Sequence, residues 1–143
     1  MKFSLLSLMF FAAALCVHAQ DDTVSIRIKL IDGRTGLPMK VQKIAIEDRA
    51  GYRDISVRPD SSGEATLRAS RDTTILTHNT HEYVNCGDEH GGLVHNDYSV
   101  RKIVSTGVVE PVAQPNLCTQ TSGAAKPGEL ILFVRPWRIG EEL

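Results

Sequence analysis

Ile31-Asp32-Gly33-Arg34-Thr35-Gly36-Leu37-Pro38 is a turn cluster set between alternating apolar runs, and its reading decides the fold class. Just upstream, Val24, Ile26, Ile28 and Leu30 alternate with Ser25, Arg27 and Lys29. Period two over that length predicts a strand with one buried face. Asp32 can bond the backbone ahead of it, the glycines can take positive φ, and Pro38 keeps Leu37 extended. A second cluster, Pro59-Asp60-Ser61-Ser62-Gly63-Glu64, leads into Ala65 and Leu67. Short strands cut by such clusters predict an all-β chain, an antiparallel β-sandwich of about seven strands.

Outward from these turns the pattern continues. Val41, Ile44 and Ile46 carry a second strand with a slip in alternation at Gln42-Lys43. Ile55 and Val57 mark another, and Thr73 to Thr77 is β-branched and extended. One short helix is predicted: Ser99 as N-cap, Val100, Ile103 and Val104 at helical spacing, Gly107 as the stop. Val108 to Pro111 resumes extended structure. Thr119 to Gly128, rich in Ser, Gly, Ala and Pro, reads as a mobile loop. Glu129 to Arg135 is the most apolar strand, expected at the centre and buried on both faces. Pro136 is expected to end its ladder and Trp137 to fold back over the core.

Residues 1–19 read as a cleaved signal peptide: Lys2, an apolar run from Leu5 to Val17, then Val17-His18-Ala19 at the cleavage site. Residues 20–143 then form a single domain, secreted or periplasmic. The apolar run falls short of the roughly 20 residues of a membrane span. Cys16 invites comparison with a lipidation box, against which Leu15 before it argues. The formal charge of the chain is −1, and without Lys2 it is −2. Lys and Arg are scattered, so no clustered basic face is available for nucleic acid. Cys86 and Cys118 are the two remaining cysteines. An even pair in an exported protein reads as a disulfide, the alternatives being two metal ligands or two free thiols.

The chemistry-bearing residues gather between Ile75 and Ser99: His78, His81, Cys86, Asp88, Glu89, His90, His95 and Asp97. His78, His81, His90 and His95 are candidate ligands for zinc or copper, although their spacing matches no specific metal motif. The bland alternative is a polar loop with exposed histidines. Asp60-Ser61-Ser62-Gly63-Glu64 lacks the later bidentate acid of a calcium loop, so a turn suffices. No Gly-x-Ser-x-Gly elbow is present. Asp88 and Glu89 are adjacent and would diverge on a strand. The aromatics Tyr52, Tyr83, Tyr98 and Trp137 are dispersed, which leaves a sugar-binding platform only as an alternative.

Asp32-Gly33-x-Thr35-Gly36-x-Pro38 together with Asp60-x-x-Gly63 resembles the paired signature of carboxypeptidase regulatory-like domains, within the transthyretin-like (prealbumin-like) sandwich group. The resemblance runs from Val24 to about Val134. It implies a non-catalytic module without a cofactor, a binding or structural accessory protein at the cell envelope with a possible envelope protein partner. The group also contains 5-hydroxyisourate hydrolase, whose C-terminal Tyr-Arg-Gly-Ser has no counterpart in Arg138-Ile139-Gly140-Glu141-Glu142-Leu143. The enzymatic residues therefore do not carry over. Isopeptide-bonded pilin sandwiches need an Asn in the last strand, and Glu129 to Arg135 has none. The region from His78 to Cys118 departs from the generic domain. A metal-binding protein or enzyme built on its His78–Asp97 part is the second reading, and a carbohydrate-binding module the third.

Overall fold

The computed structural model describes residues 22–86, 97–112 and 118–139. Residues 1–19, expected to be a signal peptide, and Asp88, Glu89, His90 and His95 lie outside the described residues. The elements in chain order are β1 (Thr23–Asp32), β2 (Leu37–Pro38), β3 (Ile44–Asp48), β4 (Arg53–Val57), β5 (Glu64–Ser70), β6 (Thr74–Thr77), β7 (Tyr83–Asn85), β8 (Asp97–Ser99), α1 (Val100–Thr106), β9 (Val108–Val109) and β10 (Glu129–Pro136). No helix among the described residues is long and apolar enough to cross a membrane.

The strands form two sheets. In the larger one, β1 pairs antiparallel with β5 and β2 along one edge and parallel with β10 along the other. The far edge of β10 carries β9 and β7. The smaller sheet has the order β4-β3-β6-β8, all antiparallel. The expectation of an antiparallel sandwich of about seven strands is thus corrected: the larger sheet is mixed. Parallel neighbours need a long crossover, and residues 33–128 supply it between β1 and β10. The strand number rises to ten among the described residues because β2, β9, β7 and β8 are fragments of two or three residues.

The core follows from alternation. Ile26, Ile28 and Leu30 of β1, Leu67 of β5, and Leu130, Leu132 and Val134 of β10 face Ile44, Ile46, Ile75 and Tyr98 of the smaller sheet, with Val100 and Ile103 of α1 closing one end. The helix begins and stops as its sequence predicts. Ser99 Oγ accepts from the Lys102 N–H, and the Gly107 N–H donates to the Ile103 carbonyl. The opposite face of β10 is buried as well. Ile131 and Phe133 pack with Cys86, Cys118, Val112 and Ala125 in a second cluster. Ile131 and Phe133 each contribute about 1.5–3 kcal/mol on burial. The covering segment was expected to be a loose loop, but it is anchored at both ends. The Gln120 N–H donates to the Gly33 carbonyl at 2.7 Å and the Lys126 N–H to Glu129 Oε2 at 3.0 Å. Pro136 ends the β10 ladder as expected, in a last pair opposite Tyr83, whereas Trp137 packs edge-on against His81 at 5.7 Å instead of covering the core.

The two turn clusters lock separately and then dock on each other. Asp32 Oδ1 accepts from the Arg34 N–H at 2.9 Å, its carboxylate pairs with the Arg34 guanidinium, and its carbonyl accepts from the Gly36 N–H at 2.7 Å. Asp60 Oδ1 accepts from the N–H groups of Ser62 and Glu64. Gly63, at φ +74°, donates its N–H to the Asp60 carbonyl. A Cβ on Gly63 would stand 3.0 Å from the Leu30 carbonyl oxygen and 3.1 Å from that of Met39. Glycine is therefore needed there for both its backbone angle and its close approach. Val41 packs against the core but precedes β3, so the irregularity at Gln42-Lys43 takes it out of the strand.

Buried carboxylates complete the frame. Between β9 and β7 the edge of β10 is finished by a side chain: Glu110 Oε2 accepts from the Phe133 N–H at 2.9 Å, and Oε1 from the Tyr98 hydroxyl at 3.1 Å. Glu110 thereby joins the larger sheet to β8 of the smaller one. Glu129 accepts from the Lys126 N–H and pairs with Arg27 at 2.6 Å and Lys29 at 3.3 Å. Asp48 accepts from the Thr73 hydroxyl and the Ala50 N–H.

These acids set the pH response. The Lys126 N–H outweighs burial in Glu129 and, with Lys29, holds its carboxyl below the ordinary value. The Thr73 hydroxyl does the same for Asp48. Burial opposes ionisation of Asp32, but its bonds to Arg34 prevail. Folded values below the unfolded ones mean that the unfolded chain takes up protons first on acidification. The stabilisation is complete above the ordinary carboxylate values of 4.5 for Glu and 3.8 for Asp and is lost as pH falls below them. Urea midpoints are expected to hold steady from pH 7 to 5 and to drop towards pH 3, less steeply in Glu129→Gln; a midpoint that rises on acidification would contradict this account.

Candidate functional site

The open cluster of ionisable groups lies on the outer face of the smaller sheet. In β3, Ile44, Ile46 and Asp48 are buried, so Ala45 and Glu47 face out. The turn of residues 49–52 brings β4 back in a register that sets Asp54 opposite Glu47 and Ser56 opposite Ala45. On the other side β6 pairs Leu76 with Glu47. Just past β6, the His78 N–H donates to the Ala45 carbonyl at 3.0 Å, which places His78 on the same face. Three neighbouring segments thus converge without any sequence motif.

His78 Nε2 stands 3.6 Å from Glu47 Oε2. One ligand atom each from Glu47, Asp54 and His78 lies within 4.8 Å of the others. Arg49 Nη1 holds the second oxygen of Glu47 at 3.1 Å, and Arg49 Nε lies 3.7 Å from Asp97. A cleft of about 320 Å³ opens beside the cluster, lined by Lys43, Ala45, Asp54, Ser56 and His78 among others. The small side chains of Ala45 and Ser56 make that room. A neighbouring hollow of about 410 Å³ shares Lys43 and Ala45 and reaches His81 and Glu82.

The residues singled out from sequence divide accordingly. Cys86 and Cys118 form a disulfide with a Cα–Cα separation of 5.8 Å, buried against Ile131 and Phe133, so they are not available as metal ligands. His78 joins the outer-face cluster, whereas the ring of His81 packs on Trp137. Asp32, Thr35, Gly36, Pro38, Asp60 and Gly63 build the docked turns. Gly33 has a different role from the positive φ expected of it. A Cβ there would stand 2.5 Å from Cys86 Sγ and 2.8 Å from Cys118 Cβ, so glycine is the residue that lets the disulfide lie on the end of β1.

Glu47 and Asp54 were missed in the sequence. Their signal was present in the outward phase of two strands, but only the register of the β3–β4 hairpin shows that they meet. Comparison with models of protein families, with curated proteins and with solved structures finds no match to this chain.

Proposed function

We propose that this chain is a non-catalytic β-sandwich module, exported by residues 1–19 and acting as a binding or structural accessory protein at the cell envelope, in the manner that its likeness to carboxypeptidase regulatory-like domains implies. The observation that carries this reading is the use made of the buried acids. Asp32, Asp48, Glu110 and Glu129 all spend their oxygens on backbone N–H groups or on side chains that fix turns and strand edges. Such a frame presents surfaces to a partner.

The surface offered is the outer edge of β4. This strand ends the smaller sheet and pairs only with β3 among the described strands. An unpaired edge can take up an extended segment of a partner by main-chain hydrogen bonding. A photo-cross-linking side chain at Ser56, tested in the native host, is expected to trap one discrete envelope protein. The same probe at Lys102, on α1 beyond the opposite edge of that sheet, is expected to trap none. No adduct at Ser56, or equal adducts at both positions, would refute the assignment.

A further inference from the structure

We propose that Glu47, Asp54 and His78, brought together by β3, β4 and the end of β6, form a binding site for a divalent cation of the zinc type. The site goes beyond the accessory reading and does not depend on it.

The donor set selects the ion class. One imidazole nitrogen with two carboxylate oxygens suits zinc, whereas calcium and magnesium prefer oxygen throughout. The geometry is close to what coordination requires. Zinc holds such ligands at about 2.0–2.2 Å, which in a tetrahedron separates donor atoms by roughly 3.5 Å. His78 Nε2 and Glu47 Oε2 already stand 3.6 Å apart. Asp54 is exposed and can turn inward to close the remaining gap within the 4.8 Å span. The backbone that carries the ligands is fixed by the β3–β4 ladder and by the His78 N–H to Ala45 bond. Sites on sheet backbone hold their geometry better than sites on loops.

The surroundings set the strength. Arg49 occupies Glu47 Oε1 and so leaves Oε2 turned towards His78, the kind of outer contact that orients a ligand. Arg49 and Lys43 also place two positive charges near the incoming cation. Two carboxylates against these cations make a site of moderate affinity, with water completing the coordination. The core does not use these side chains, so the ion is not needed for folding.

The test is calorimetric titration of untagged, chelator-treated protein with zinc chloride, paired with nitrogen NMR of the histidine rings. One zinc per chain is expected, with the His78 ring nitrogen signal displaced. Asp54→Asn is expected to weaken binding at least ten-fold and His78→Ala to abolish the single-site isotherm, while His81→Ala leaves both readouts unchanged. Thermal unfolding without metal is expected to match the parent in all three variants, which separates loss of ligand from loss of fold. Absence of zinc binding by the parent chain, binding retained in His78→Ala, or binding lost in His81→Ala would each overturn the assignment.

Discussion

Replacing Glu110 with alanine is expected to destabilise the fold by roughly 2–4 kcal/mol, because the change removes the acceptor of two buried donors at once. The Phe133 N–H loses its bond in the middle of β10, where neither β9 nor β7 reaches it, and the Tyr98 hydroxyl loses its bond across the sandwich. Urea unfolding reads the effect as a lower midpoint. Tyr98→Phe alone removes only the second bond. The double variant should therefore cost less than the sum of the two single ones. A Glu110→Ala midpoint change worth less than about 0.5 kcal/mol, the size of an ordinary surface substitution, would show that the β10 edge is satisfied in another way.

The second large effect is expected at Gly33. Here the constraint is contact with the disulfide, since an added methyl group would meet Cys86 Sγ and Cys118 Cβ well inside van der Waals distance. Gly33 also donates its N–H to the Val134 carbonyl and accepts from the Gln120 N–H, so it is held from both sides and cannot shift. Gly33→Ala should cost about 1–3 kcal/mol, in the range of overpacked cores. Cutting the bridge by Cys86→Ala with Cys118→Ala should cost about 3–4 kcal/mol by the chain-entropy estimate for a separation of 32 residues. The informative quantity is their interaction. Without the bridge the segment at Cys118 can withdraw, so Gly33→Ala should be nearly neutral in the cysteine-free background. Equal costs in both backgrounds would place the strain elsewhere.

The local parts of the fold were legible because they rest on local rules. Alternation marks β1, a continuous apolar run marks β10, the Asp60–Gly63 turn marks the start of β5, helical spacing with Ser99 and Gly107 marks α1, and the turn residues do what Asp32 and Asp60 predict. The parallel pairing of β1 with β10 was not legible, since strand direction within a sheet depends on the path of the whole chain. The same limit hid the candidate site. Histidines stand out in a sequence and point to the region after Ile75, but among the described residues it is His78 that meets acids, and those acids come from β3 and β4. Glu110 was equally hidden. Its position after Val108-Val109 says extended chain, and nothing local says that its carboxylate completes a distant strand.

The adjacency of β1 and β10 has a kinetic consequence. The Arg27–Glu129 ion pair spans 102 positions, and the strands it joins form the middle of the larger sheet. A chain emerging from the ribosome holds β1 without its central neighbour until the 102 positions from Arg27 to Glu129 have been synthesised. Non-local pairing of this kind slows collapse to the native state. The nascent polypeptide therefore carries one edge of β1 with its backbone N–H and C=O groups unpaired until β10 has emerged, and the middle of the larger sheet cannot close before then.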